Sequence, residues 1–198
     1  MNRSKRLVSL SILVASLGLS PMAWTADAEP VQNSELNREL FYQLLLGELS
    51  ANNGDAGNAY ALMLDAARKT SSEKLFERAV ELALRARSAD AALDAARAWQ
   101  RALPTSKEAN RYVLQILIGL NRVSDTLEPL KRELTSSTGK ERIAAISLLP
   151  RYFARVTDKA LAAQQAEQAL APDLGTKATG PAAWAAVGML RLSAANPS

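Results

Sequence analysis

The feature that most constrains this 198-residue chain is a repeating pattern, with a period of about 34 residues. Four segments align: Leu40–Glu73, Glu73–Ser106, Lys107–Lys140 and Glu141–Leu174. A small residue recurs at Ala59, Ala92, Thr126 and Ala160, with spacings of 33, 34 and 34. A second marker, at Ser71, Pro104, Thr138 and Pro172, keeps the same spacings. Two markers holding one period indicate a repeated structural unit. Each segment also holds two apolar runs of helical period separated by a turn signal. Asn53-Gly54-Asp55 is the clearest turn, and Ser88-Ala89-Asp90 and Val156-Thr157-Asp158 stand in the same place and offer N-caps. The unit is therefore predicted to be a pair of antiparallel helices. One such pair cannot bury its apolar side alone and must stack on its neighbours.

Composition supports helices and narrows the chemistry. Hydrophobic residues make up 48% of the chain and aromatics only 5%, so Ala and Leu supply the core. Both lose little side-chain freedom in a helix. The long Val, Ile and Thr runs that favour sheet are missing. There is no Cys and no His, which excludes disulfides, Cys/His zinc sites and attachment of a lipid through Cys. It also removes the commonest general base. No nucleophile motif, phosphate loop or metal-ligand spacing is found, so no catalysis and no cofactor are expected.

The first thirty residues read as an address. Arg3, Lys5 and Arg6 precede an uncharged run from Leu7 to Trp24, and Ala26-Asp27-Ala28 gives the small-x-small pattern of a secretory cleavage site. Cleavage is predicted after Ala28, because cleavage after Ala26 would put Trp24 where a small residue is preferred. In a bacterium the destination is the periplasm. The alternative is an uncleaved N-terminal anchor, since the run is of marginal length for spanning. Ser9, Ser11, Ser16, Gly18, Ser20 and Pro21 dilute that run. Residues 29–35 form a polar leader, and the repeats occupy 36–174. Without residues 1–28 the chain holds 21 basic and 19 acidic residues, a balance that gives no electrostatic case for nucleic acid.

The repeat resembles the tetratricopeptide repeat (TPR) family. Repeat one carries Leu46-Gly47, Gly54, Ala59, Met63 and Ala66 at the family's positions, and repeat two carries Ala92 and Pro104. Repeat four carries Ala160 and Pro172. Val80 and Leu114 stand where the family has its first Gly, and Thr126 replaces Ala. The likeness spans residues 36–196. It implies an all-α, right-handed solenoid of antiparallel helix pairs, with about four repeats and a partial fifth. The terminal Pro of a repeat is expected to stop its second helix. Residues 175–181 read as a flexible loop, and 182–198 as the incomplete fifth repeat, where Trp184, Val187 and Gly188 resemble the family's pattern. That unit has no second helix, so either the chain continues into a longer array or this end docks on a partner.

In the family the first helix of each pair lines a concave groove. Its five groove positions map here to Phe41, Leu44, Glu48, Ala51 and Asn52 in repeat one, and to Lys74, Glu77, Glu81, Leu84 and Arg85 in repeat two. Repeat three gives Glu108, Arg111, Gln115, Ile118 and Gly119, and repeat four gives Arg142, Ala145, Leu149, Tyr152 and Phe153. Helical periodicity independently sets Lys74, Glu77, Glu81 and Arg85 opposite the apolar residues of 75–86, and Glu108, Arg111 and Gln115 opposite those of 109–117. Tyr152-Phe153 reads either as an exposed anchor or as partial core, and Trp99 and Trp184 as packing residues. Glu77 and Glu81, one turn apart, are paired carboxylates, but Arg78 and Arg85 beside them make ion pairing the simpler account.

These observations predict an exported adaptor that binds a protein or extended peptide of the cell envelope. The mixed charge of the mapped positions argues against a clamp for an acidic tail. The segment 39–48, behind an export signal, is similar to bacterial envelope repeat lipoproteins, some of which are adaptors for periplasmic carboxy-terminal processing proteases. The lipid-accepting Cys of those proteins is missing here. The alternatives are a periplasmic secretion or assembly chaperone, for which four Met are few, and a component of a polysaccharide or peptidoglycan machine, which would need more aromatic platforms.

Overall fold

The computed structural model describes residues 38–195; the predicted signal segment, the whole polar leader, the first two residues of the predicted repeats and the last three of the predicted fifth unit lie outside the described residues. Among these there are nine α-helices and no strand. They are α1 (Arg38–Asn52), α2 (Ala56–Thr70), α3 (Glu73–Arg85), α4 (Ala89–Ala102), α5 (Lys107–Gly119), α6 (Leu127–Ser136), α7 (Gly139–Tyr152), α8 (Lys159–Leu174) and α9 (Gly180–Ala195). Short 3-10 turns, Val123–Asp125 and Phe153–Arg155, precede α6 and follow α7.

The turns inside the first three pairs share one geometry. Gly54, Arg87 and Asn121 all have positive φ, at 84°, 57° and 57°. Around each, the chain closes a double backbone bond: Ser88 N donates to Ala83 O and Arg87 N to Leu84 O, both at 2.9 Å. Arg122 N to Leu117 O and Asn121 N to Ile118 O repeat the pattern. This is the left-handed termination that satisfies the last carbonyls of a helix. Asp55 and Asp158 then open α2 and α8, accepting from Asn58 N at 3.2 Å and Leu161 N at 2.8 Å.

From α1 to α6 each helix packs on the next in the chain, and α8 packs on α9. The small residues expected to let helices approach do so at Ala59, Ala92 and Thr126, all fully buried. In the first pair Gly47 meets Met63: a Cβ on Gly47 would stand 2.8 Å from Met63 Cε. That atom is the end of a flexible chain. Gly47→Ala is therefore expected to cost under about 1 kcal/mol, and Gly47→Leu about 1–3 kcal/mol, by chemical denaturation. Equal costs for the two would show that the close approach does not matter.

The fourth pair departs from the expected register. Ser72 and Ser106 precede α3 and α5 one full period apart, but Thr138 precedes α7 two positions early. Helix α7 gains the 3-10 turn at its end, and Asp158 opens the second helix two positions late. Ala160 is exposed, and Ala162, fully buried, takes the part of Ala59 and Ala92. Pro172 does not end the second helix as expected: it sits inside the last turn of α8, which runs to Leu174. The bond it cannot donate would go to Gln168, an exposed residue whose carbonyl water can satisfy.

The loop expected at 175–181 is shorter and tied down. Thr176 Oγ1 donates to Asp173 O at 2.6 Å, Gly180 N donates to Thr176 O at 2.7 Å, and α9 already begins at Gly180. Arg142 on α7 grips Asp173 from above this joint, with Nε and Nη2 each 2.7 Å from a carboxylate oxygen. A further Arg142 nitrogen donates to Leu134 O on α6. One side chain thus links three helices.

Candidate functional site

The residues mapped on α1, α3 and α5 all stay out of the buried core. Phe41, Asn52, Lys74, Glu81, Leu84, Arg85, Arg111, Gln115 and Gly119 are exposed; Leu44, Glu48, Ala51, Glu77, Glu108 and Ile118 are half-buried. Charge pairs knit this surface along and across the helices. Lys74 reaches Glu77 at 3.3 Å and Arg111 reaches Glu108 at 2.8 Å. Arg78 crosses between helices: its Nε and Nη2 lie 2.9 and 2.7 Å from the Glu48 carboxylate on α1, and its Nη1 is 3.2 Å from Glu81. That bidentate contact holds the Glu48 carboxyl below its ordinary range.

Ser106, at the start of α5, donates to Glu73 of α3 at 2.6 Å, and Tyr112 of α5 lies half-buried beside this surface. Burial, and then the nearby Glu77, Glu81 and Glu108 carboxylates, push its phenol above the usual value. Tyr152 of α7 joins Arg111, Gln115 and Ile118 of α5 and Glu133 of α6 around one small recess. The mapped residues of α1, α3 and α5, with Tyr152, therefore form one continuous strip. A separate recess at the start of α5, lined by Lys107, Asn110 and Arg132 among others, holds none of them.

Three mapped residues of the fourth repeat belong elsewhere. Leu149 and Phe153 are core, and Arg142 is spent on Asp173 and α6. The cause is the early start of α7. Arg142 stands where Asn110 stands on α5, and both make polar bonds to neighbouring helices: Asn110 Nδ2 donates to Pro129 O at 3.0 Å, and its Oδ1 accepts from Gln100. Ala145 is half-buried against the same core. The two-residue shift leaves Ile143 and Ser147 exposed in place of Ala145 and Leu149. Of the pair that reads either way in the sequence, Phe153 is core and Tyr152 remains at the surface, half-buried.

Sequence reasoning missed Tyr112 and Glu133, and the full part of Arg78. Arg78 and Tyr112 sit one residue beyond a mapped groove position, and the sequence alone shows Arg78 as a local partner of Glu77 and Glu81. The remaining reach is lateral, to the neighbouring helix, and a side chain as long as Arg is the signal that could have shown it.

Among the described residues no group of three His, Cys, Asp or Glu is placed to hold a metal ion, and no helix is long and apolar enough to cross a membrane. No protein-family model matches the chain, and no curated protein matches it.

Proposed function

We propose that this protein is an exported, TPR-like solenoid that acts as a binding scaffold or adaptor and performs no catalysis. The strip over α1, α3, α5 and Tyr152 is its concave, partner-binding face. The observation that carries this reading is the lateral continuity of the strip: Arg78 joins α1 to α3, Ser106 at the start of α5 donates to Glu73 of α3 at 2.6 Å, and Tyr152 shares a recess with α5. A continuous surface of alternating charge with a few aromatics suits an extended segment or a protein face of mixed charge. The partner is a protein or peptide of the cell envelope, reached after cleavage near Ala28.

The test is affinity capture from envelope extract by the mature protein and by a Glu77→Ala, Arg85→Ala, Arg111→Ala variant. All three side chains face solvent wholly or in part, so the variant folds. Loss of the captured partner is expected. Unchanged capture sinks the strip as the binding face. The chaperone reading has one observation in its favour, the exposed Phe41, Tyr42, Leu45 and Leu49 on α1. A chaperone would keep its clients in the triple variant and lose them on Tyr42→Ser and Leu49→Ser.

A further inference from the structure

The buried apolar side chains fall into two separate cores. The first is built from α2, α3, α4 and one side of α5, and it includes Phe76 and Trp99. The second is built from α6, α7, α8 and α9, and it includes Phe153 and Leu170. Helix α5 is the wall between them. Its Val113, Ile116 and Leu117 belong to the first core, and its Leu114 and Ile118 pack into the second.

Much of what crosses this seam is polar. Asn110 is the fourth residue of α5, as Phe76 is of α3. Phe76 stacks on Trp99 with ring centroids 6.5 Å apart. Asn110 is buried too, but it holds its neighbours through an amide. Its Nδ2 donates to Pro129 O of α6 at 3.0 Å, and its Oδ1 accepts from Gln100 of α4 at 3.1 Å. In the turn that leads to α6, Asp125 meets Arg97 of α4 at 3.4 Å, and Arg122 meets Asp90 of α4 at 2.7 Å. Both ion pairs are exposed, and exposed pairs hold little.

Packing is thin at the same place. Helix α2 packs on α4 and α6 packs on α8, but α4 and α6 make little contact. Two recesses flank α5 here. One, of about 320 Å³, lies between the start of α5 and the end of α6. The other is the small recess that Tyr152 shares with α5 and α6. A close-packed apolar core resists deformation, because a shift forfeits contacts throughout it. A seam of hydrogen bonds, exposed ion pairs and voids loses far less when it flexes.

We propose that the chain has a hinge at this seam: α1–α5 and α6–α9 move as two rigid bodies, and bending between them opens and closes the recess between Tyr152 and α5. The hinge rests on packing alone. Its consequence for binding rests on the strip being the partner-binding face. Bending sets how far Tyr152 stands from Arg111 and Gln115, and so fits one strip to partners of different curvature.

The chain has no Cys, so spin labels can be placed on introduced cysteines alone. Three pairs are compared in the full chain. Tyr42→Cys with Gln115→Cys lies inside the first body, and Arg132→Cys with Ala185→Cys inside the second. Gln115→Cys with Ala185→Cys spans the seam. All of these positions are exposed, so the labels leave the cores intact. Pulsed dipolar spectroscopy is expected to give a distance distribution about twice as wide for the spanning pair as for the other two. Asp90→Ala with Arg97→Ala removes one partner from each ion pair at the seam. It is expected to widen the spanning distribution further and to leave the other two unchanged. Equal widths for the three pairs overturn the proposal. So does widening of all three by the double variant, which would show a general loosening. The capture experiment reads the strip and the labels read the hinge, so each can fail without the other.

Discussion

Trp99→Ala is expected to lower the free energy of unfolding by about 4 kcal/mol, the upper range for a core aromatic. Trp99 has no exposed surface. It is stacked on Phe76 of α3 at an interplanar angle of 5°, and its centroid lies 5.6 Å from that of Tyr112 on α5. The ring therefore joins three helices, and its removal leaves a cavity that none of them can close alone. Trp99→Phe should behave very differently. The Trp99 Nε1 is buried with no hydrogen-bond partner, and an unsatisfied buried donor costs about 1–3 kcal/mol. Phenylalanine gives up apolar area but removes that cost, so its net effect is expected to stay at about 1 kcal/mol or below. Urea denaturation of the two variants checks this. An alanine variant no less stable than the phenylalanine variant would refute the bridging role.

The second large effect is expected at Arg142. The Asp173 side chain is only 4% exposed and that of Arg142 22%. Arg142→Ala leaves a buried carboxylate without its partner, a loss of about 3 kcal/mol at neutral pH. The effect carries a pH signature. The Arg142 guanidinium, through its hydrogen bonds, holds the Asp173 carboxyl below the ordinary range. A carboxyl depressed in the folded state contributes stability that is complete above its unfolded value, about 3.9. That stability is lost as the pH falls through the lower, folded value. The gap between wild type and Arg142→Ala is thus expected to be constant from pH 7 to about 5 and to close at more acid pH. Arg142→Met with Asp173→Leu should recover most of the loss, since an apolar pair of similar volume avoids the desolvation of two charges. A gap that does not change down to pH 3 would show that the loss is one of packing.

The sequence made the helices and their order legible, because two apolar runs per segment and the Asp and Gly of the turns act within a few residues of each other. The register of the fourth pair was hidden for a specific reason. The segment from Lys159 to Leu174 has alanines at 160, 162, 163, 166, 169 and 171. A small residue therefore falls in almost any frame, so Ala160 kept the period without being the packed residue. Pro172 kept it too, while standing inside a helix. What could have exposed the shift is the apolar run itself: Ile146, Leu149 and Phe153 follow helical spacing as a core, and Arg142 leads them as Asn110 leads its own. The strip was legible on α3 and α5 because amphipathic helices fix their outward residues; on α1, which exposes Phe41, Leu45 and Leu49, only the family resemblance placed it. Its lateral joints were not, since they depend on how two helices sit side by side.

The three left-handed turns also say something about how such a chain tolerates change. Glycine, arginine and asparagine occupy one backbone geometry in three successive units. The geometry is held by the double backbone bond, so what is copied from unit to unit is a shape written in the main chain, with the side chain left open. Arg87 accepts the steric penalty that Gly54 escapes, and Asn121 turns the position outward: its Oδ1 accepts from Thr157 N at 2.8 Å, tying one bend to the next. A position that costs little to vary is where a duplicated unit can acquire a new bond to its neighbour. The fourth unit shows the limit of that freedom. There a 3-10 turn replaces the bend, and the outward-facing residues of α7 shift with it.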